Sequence, residues 1–217
     1  MKTNSKRSIT VAVIDSGINI NVADLHKYVQ QSCGFIINGE GQIKEQLTKQ
    51  IKSEHGTAVS LIIRSVCEDV RFIDINILDD DLTTDGRIFL QAFRKAVDLS
   101  PNIIHLSLGT TRFIYKFALQ RLVNAARKKN TMVIAAAHNQ GLRCYPANLK
   151  GVVLVKVNDD LKPCIRSDRR GVFYAPSYLL DIPGTNELRN PKISGTSLSA
   201  AYVTGTFAKK LSNISFD

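Results

Sequence analysis

Ser8 to Ile14 (Ser-Ile-Thr-Val-Ala-Val-Ile) is apolar and β-branched, with no alternation of polar and apolar positions. A strand of that kind is buried on both faces, so it belongs inside a sheet that is itself covered on both faces. The pattern recurs at Val70–Leu78, Asn102–Leu106, Thr131–Ala137 and Gly151–Val157. Between and after these runs lie helical segments: Glu54–Ile63, Gly86–Leu99, Arg112–Lys129 and Ser197–Leu211. Strands alternating with helices predict an α/β fold, a mostly parallel central sheet between two helical layers. Gly34–Ile37, Phe173–Tyr174 and Leu179–Ile182 are shorter candidate strands, and the polar stretch Asn19–Lys52 reads as a surface excursion. No repeat, low-complexity tract or linker interrupts the chain, which predicts a single domain over residues 1–217.

The formal charge of +10 permits nucleic acid or a membrane surface as partner. The basic residues, however, are scattered in small groups, such as Lys49 with Lys52 or Arg127-Lys128-Lys129. The latter group falls at a predicted helix C-terminus, where cations favour the dipole. No nucleic-acid motif accompanies them, and no apolar run is long enough to span a bilayer. Neither nucleic acid nor membrane is therefore expected as a partner. Met1–Arg7 is basic and polar and runs into the first strand without an apolar leader core, which predicts a cytoplasmic location. Cys33, Cys67, Cys144 and Cys164 have neither CxxC nor zinc-ligand spacing and are expected as reduced thiols. No cofactor and no metal are expected. The acidic run Asp79-Asp80-Asp81 lacks the alternating oxygen ligands of a calcium loop.

Three residues sit where elements meet. Asp15 ends the first strand, at the sheet edge where open α/β folds place functional groups. His55 lies in the first turn of a buried helix, before Gly56-Thr57, where glycine allows close backbone approach. Ser197 follows Gly195-Thr196 and opens the last helix, where free N–H groups and the dipole favour developing negative charge. Singly, each has a plain structural use: a turn aspartate, a packed histidine, a helix-capping serine. Together they supply what acyl transfer by serine requires: a nucleophile, a base and a carboxylate that orients the base.

Six blocks extend the pattern: Asp15-Ser16-Gly17-Ile18, His55-Gly56-Thr57, Ser107-Leu108-Gly109, Ala135-Ala136-Ala137-His138-Asn139, Tyr145-Pro146-Ala147 and Gly195-Thr196-Ser197. In this order, over Ile9 to about Leu211, they resemble the subtilisin-like serine proteases. The resemblance implies a three-layer sandwich. It also implies Ser197 as nucleophile, His55 as general base and acid, and Asp15 as its orienting partner. Asn139 would stabilise the oxyanion together with the Ser197 backbone N–H. Ser107-Leu108-Gly109 would pair with the substrate backbone and wall the primary pocket, and Leu82-Thr83-Thr84 would flank the substrate on the other side. His138 replaces a glycine customary in the family and is expected to narrow that pocket. Asp79, Asp80, Asp81 and Asp85 bracket the Leu82 edge, which predicts either attraction of a Lys or Arg upstream of the cut or a solvated loop that touches nothing.

The chain departs from the family elsewhere. Ala58-Val59-Ser60 stands in place of the usual His-Val-Ala continuation, and Leu198-Ser199-Ala200-Ala201-Tyr202 in place of Met-Ala-Ser-Pro-His. With eight residues before Ile9, a member without the family's long propeptide is expected. The expected function is a serine endopeptidase acting on a peptide or protein substrate by limited proteolysis, such as leader removal from a ribosomally made precursor. A peptide-binding protein with the same fold and impaired catalysis is the alternative. A basic nucleic-acid binder ranks behind both.

Overall fold

A computed structural model describes residues 7–47, 50–161, 165–179, 182–189 and 193–214. The expected thiol at Cys164 and the basic Lys49 lie outside the described residues, as do Leu180 and Asp181 of one candidate strand. Nine strands form one sheet: β1 (Ile9–Asp15), β2 (Val29–Ile37), β3 (Ile43–Gln46), β4 (Val70–Asn76), β5 (Ile103–Leu106), β6 (Met132–Ala136), β7 (Val152–Val157), β8 (Arg166–Ser167) and β9 (Phe173–Ala175). Their order is β3-β2-β4-β1-β5-β6-β7-β9-β8. The seven inner strands are parallel, and β3 and β8 close the two edges as antiparallel partners.

Helices cover both faces. Alternate residues of β1 point into opposite layers, as a pleated strand requires. Ile9, Val11 and Val13 pack with α1 (His55–Val66) and α4 (Thr196–Ser212). Ala12 and Ile14 pack with α2 (Gly86–Leu99) and α3 (Lys116–Lys128). The three-layer α/β architecture agrees with the sequence reading, and α2 begins and ends where its periodicity predicts.

Three local expectations change. The segment Asn19–Lys52 is not wholly a surface excursion, because β2 joins the sheet beside β4 and buries Cys33 and Phe35. Gln30 and Gln31 in its first half are exposed, which hides the apolar pattern. The segment from Arg112 begins with a 3-10 turn at Phe113–Tyr115 before α3. That turn lays the Tyr115 ring against Gly86, where a Cβ would come within 2.3 Å of it. Leu179 and Ile182 are not in a strand, and the neighbouring Tyr178 makes only an isolated bridge to Ser194.

The two helices of the first layer cross closely at Gly205 of α4. A Cβ there would lie 2.7 Å from Val66 Cβ and 3.0 Å from the Ile63 carbonyl oxygen of α1. Alanine at this position gains about 1 kcal/mol in helix propensity. Overpacking costs about 1–3 kcal/mol, and backbone is among the atoms that must move. Gly205→Ala should therefore destabilise the protein. A denaturant midpoint at or above wild type would show that α4 can move away from α1.

Candidate active site

The strand order reverses between β1 and β5: the chain builds outward from β1 to β2 and β3, returns to β4, then continues on the other side with β5. The carboxyl ends of strands flanking such a point form a crevice. Asp15 ends β1 on one side, and Ser107 follows β5 on the other.

Asp15 is fully buried. Its Oδ1 accepts from the Ser16 backbone N–H at 2.7 Å and from His55 Nδ1–H at 2.8 Å, with Oδ2 3.0 Å from the same nitrogen. Glycine at position 56 lets the start of α1 come this close. A Cβ there would meet the Gly17 carbonyl oxygen at 2.6 Å and Asp15 Oδ1 at 3.2 Å. The Ser16 hydroxyl stitches the junction, accepting from Gly56 N–H at 3.0 Å and donating to the Ser53 carbonyl at 2.9 Å.

Burial by itself would raise the Asp15 pKa and lower that of His55. Their mutual attraction and hydrogen bond outweigh it, so Asp15 is held below the ordinary carboxylate value and His55 above the ordinary imidazole value.

Behind this pair lies a second histidine. His105, on β5, is fully buried, and burial pushes its pKa down to about 4, so it is neutral at pH 7. Its Nε2 is 2.9 Å from the Ser107 hydroxyl and its Nδ1 is 2.8 Å from the Thr204 hydroxyl of α4. His105 is missing from the sequence-level site, although a histidine inside the apolar run Ile103-Ile104-His105-Leu106 is a visible irregularity.

Ser197 lies in the first turn of α4, where backbone N–H groups lack intrahelical acceptors. Its hydroxyl donates to the Ser107 carbonyl at 3.1 Å, so Ser197 and His55 are not hydrogen-bonded to each other here. Gly195, before the helix, has φ +127°, which only glycine adopts without strain. Asn139 Oδ1 accepts from the Thr196 backbone N–H at 3.0 Å and the Thr196 hydroxyl at 2.8 Å. The oxygen being occupied, the Asn139 Nδ2 remains as a donor.

One cavity of about 500 Å³ is lined by His55, Ser197, Asn139, His138, Leu82 and all of Ser107-Leu108-Gly109. Cys144 lines it too, a residue the motif reading left as a plain thiol; burial pushes its pKa up. His138 Nδ1 accepts from the Gln140 backbone N–H at 3.1 Å. An adjoining cavity of about 310 Å³ is lined by Leu82, Thr83, Thr84, Leu108, Gly109, Arg112 and Tyr115. Thus Thr83 and Thr84 sit beside the cavity that holds Ser197 rather than in it.

The four aspartates near Leu82 are mostly engaged locally. Asp79 accepts from the Thr83 backbone N–H at 2.9 Å, and Asp85 caps α2 through the Arg87 N–H at 2.7 Å and pairs with the Arg87 side chain. Asp80 lies 3.9 Å from Lys52. Cations thus stand against two of the four carboxylates, Asp80 and Asp85. Among the described residues, no group of three or more His, Cys, Asp or Glu is placed to hold a metal ion.

A parallel α/β sheet with an aspartate–histidine pair and a helix-terminal serine at one crevice is the arrangement of a serine hydrolase. A model of the Subtilase family, Peptidase_S8, matches residues 6–215, and the chain belongs to that family of subtilisin-like serine proteases. Thermitase from Thermoactinomyces vulgaris is 25% identical over 215 residues, covering 90% of this chain and 72% of thermitase. A thermophilic serine proteinase of Bacillus sp. (strain AK1) is 26% identical over 218 residues, covering 91% of this chain and 51% of the relative. Among solved structures, Sphericase superposes with TM-score 0.74 at 21% identity, covering 96% of this chain and 78% of Sphericase. A lanthipeptide protease superposes with TM-score 0.73 at 25% identity, covering 96% of this chain and 74% of the neighbour.

If His55 is the base, activity requires it neutral, and its raised pKa places the acid limb of kcat/KM above the ordinary imidazole value of 6.5. Removing the Asp15 charge removes the cause that raises it. Asp15→Asn should move the acid limb down and lower kcat by about 10⁴-fold. An acid limb left in place would show that another group controls it.

Proposed function

We propose that this chain is a serine endopeptidase, with Ser197 as nucleophile, His55 as general base and Asp15 as its orienting partner, carried on a single catalytic domain. The carrying observation is the buried Asp15–His55 pair opening onto the same cavity as Ser197. Turning the Ser197 hydroxyl from the Ser107 carbonyl toward His55 Nε2 gives the base its proton. Oγ then attacks the substrate carbonyl carbon, and the oxygen becomes an oxyanion. The donors left over, Asn139 Nδ2 and the Ser197 backbone N–H, suit that charge. Collapse breaks the C–N bond as His55 passes its proton to the leaving amine, leaving an acyl-enzyme. Water activated by His55 releases the acid and restores Ser197.

The peptide substrate lies extended between the Ser107–Gly109 and Leu82–Thr84 edges, pairing through its backbone. Its side chain before the cut enters the larger cavity, where His138 and Cys144 limit its size. Upstream residues cross the cavity walled by Thr83, Thr84, Arg112 and Tyr115. Limited proteolysis is the favoured role, as in leader removal from a peptide precursor. The resemblance to a lanthipeptide protease supports this reading. Free thiols at Cys33, Cys67 and Cys144 suit a reducing cytoplasm. Among the described residues no helix is long and apolar enough to cross a membrane.

Ser197→Ala should lower kcat by about 10⁶-fold, and Asn139→Ala by about 10²–10³-fold, with folding intact by circular dichroism. A fluorophosphonate probe should label wild type and not Ser197→Ala. Folded wild type that resists the probe and leaves peptides uncut is instead a peptide-binding protein on this fold.

A further inference from the structure

Three apolar side chains at the start of α3 lie open to solvent. Phe113 is 58% exposed, Ile114 78% and Phe117 63%. Two of them form one patch, the Phe113 ring meeting Phe117 edge-on at 5.8 Å and Tyr145 at 6.5 Å, with Ile114 next to Phe113 in the chain. Lys116 Nζ stands over both phenylalanine rings, at 4.9 and 5.6 Å. Grouped exposed apolar surface of this kind marks a binding face.

The patch continues the cleft. Arg112 and Tyr115, immediately before and within the same turn, line the upstream cavity. Tyr145 exchanges two 2.8 Å backbone hydrogen bonds with Thr110, and the residue before it, Cys144, lines the larger cavity. A substrate leaving the Leu82–Thr84 and Leu108–Gly109 edges past Arg112 and Tyr115 next meets Phe113 and Phe117.

We infer that this face docks the substrate itself, taking an apolar and acidic segment upstream of the residues held in the cleft. This rests on the endopeptidase reading above. The apolar side chains of that segment cover Phe113, Ile114 and Phe117. Its carboxylates face Arg112 and Lys116, on a protein whose formal charge is +10.

The test compares three peptides identical around the cleaved bond: a short one ending at the upstream cavity, a long one extended by a Leu/Phe- and Glu-containing segment, and a long control extended by Gly and Ser. Wild type should cleave the Leu/Phe/Glu peptide with kcat/KM about tenfold or more above the other two, through KM, since tenfold needs only about 1.4 kcal/mol of added contact. The triple variant Phe113→Ser, Ile114→Ser, Phe117→Ser alters exposed side chains only. It should remove that advantage and leave the short peptide unchanged. Equal cleavage of all three peptides overturns the docking face while leaving the protease reading intact. No cleavage and no probe labelling overturns both. A dimer in sedimentation that the triple variant dissolves makes the face a self-interface and also overturns the proposal.

The hydrogen bonds around His105 independently carry a second inference. His105 Nε2 hydrogen-bonds the Ser107 hydroxyl at 2.9 Å and His105 Nδ1 the Thr204 hydroxyl at 2.8 Å. The geometry assigns His105 as a positioning residue that fixes the Ser107 side chain and ties β5 to α4, the helix bearing Ser197. His105→Leu should lower kcat about tenfold or more with KM little changed, as expected of an interaction that acts in the chemical step. His105→Gln, which keeps a donor and an acceptor, should recover much of it, and Thr204→Val should show a milder loss. The effects of His105→Leu and Ser107→Ala should be less than additive. Additive losses, or Gln no better than Leu in a folded enzyme, would assign His105 to packing alone; if His105→Leu does not fold, His105→Gln and Thr204→Val decide, and wild-type kcat in both overturns the assignment.

Discussion

A carboxylate removed wholly from water is the constraint around which this site is built. An unpaired charge there would cost several kcal/mol, more than most single contacts supply. Asp15 meets that demand with a backbone N–H from Ser16 and the imidazole N–H of His55. The two donors belong to different stretches of chain, the turn after β1 and the start of α1. Satisfying one buried charge therefore fixes these two segments relative to each other. The same contacts hold the imidazole with Nδ1 toward Asp15, which leaves Nε2 for chemistry.

The sheet makes this convergence possible. Residues 15, 107 and 139 follow parallel strands whose carboxyl ends lie side by side, and α1 and α4 present their amino ends to the same crevice. The two helices pack against each other in one layer, through the glycine contact at Gly205. Distances between functional atoms are thus set by core packing rather than by mobile loops. Glycines stand where the helices must come closest to their neighbours: Gly56 against the Gly17 carbonyl and Gly195 against Asn139.

The sequence displayed much of this because its signals were local. An uninterrupted β-branched run means a strand covered on both faces, and Gly after His55 means close approach, whatever the distant partner. The layers and the strands β1, β4, β5, β6 and β7 accordingly match the reading, whereas the Asp15–His55 pairing, which the structure shows at 2.8 Å, is implied by the family resemblance alone. What stayed hidden depends on partners far along the chain. β2 is polar in its first half and enters the sheet only because β4 offers an edge. His105 gains meaning only from Thr204, 99 residues away. Asp79 also closes a turn, and Asp85 caps a helix and pairs with Arg87, local uses that a count of charge along the sequence does not reveal.

On the proposed endopeptidase reading, the chemistry at Ser197 is indifferent to which peptide it cuts, so selectivity has to come from surfaces beside it. A primary pocket that differs by a methylene separates substrates by only about 1–3 kcal/mol. Residues that line the cavity, such as His138 and Cys144, would not single out one polypeptide on that scale. Contacts remote from the cut add discrimination without altering the reacting groups, and their binding energy can also help align the scissile bond. The face of Phe113, Ile114 and Phe117 lies outside the catalytic cavity yet abuts the wall formed by Arg112 and Tyr115. It leaves the buried charge network around Asp15 untouched. On the proposed reading, recognition and chemistry lie on separate elements, α3 for the first and the α1–α4 layer for the second, so either can change without dismantling the other.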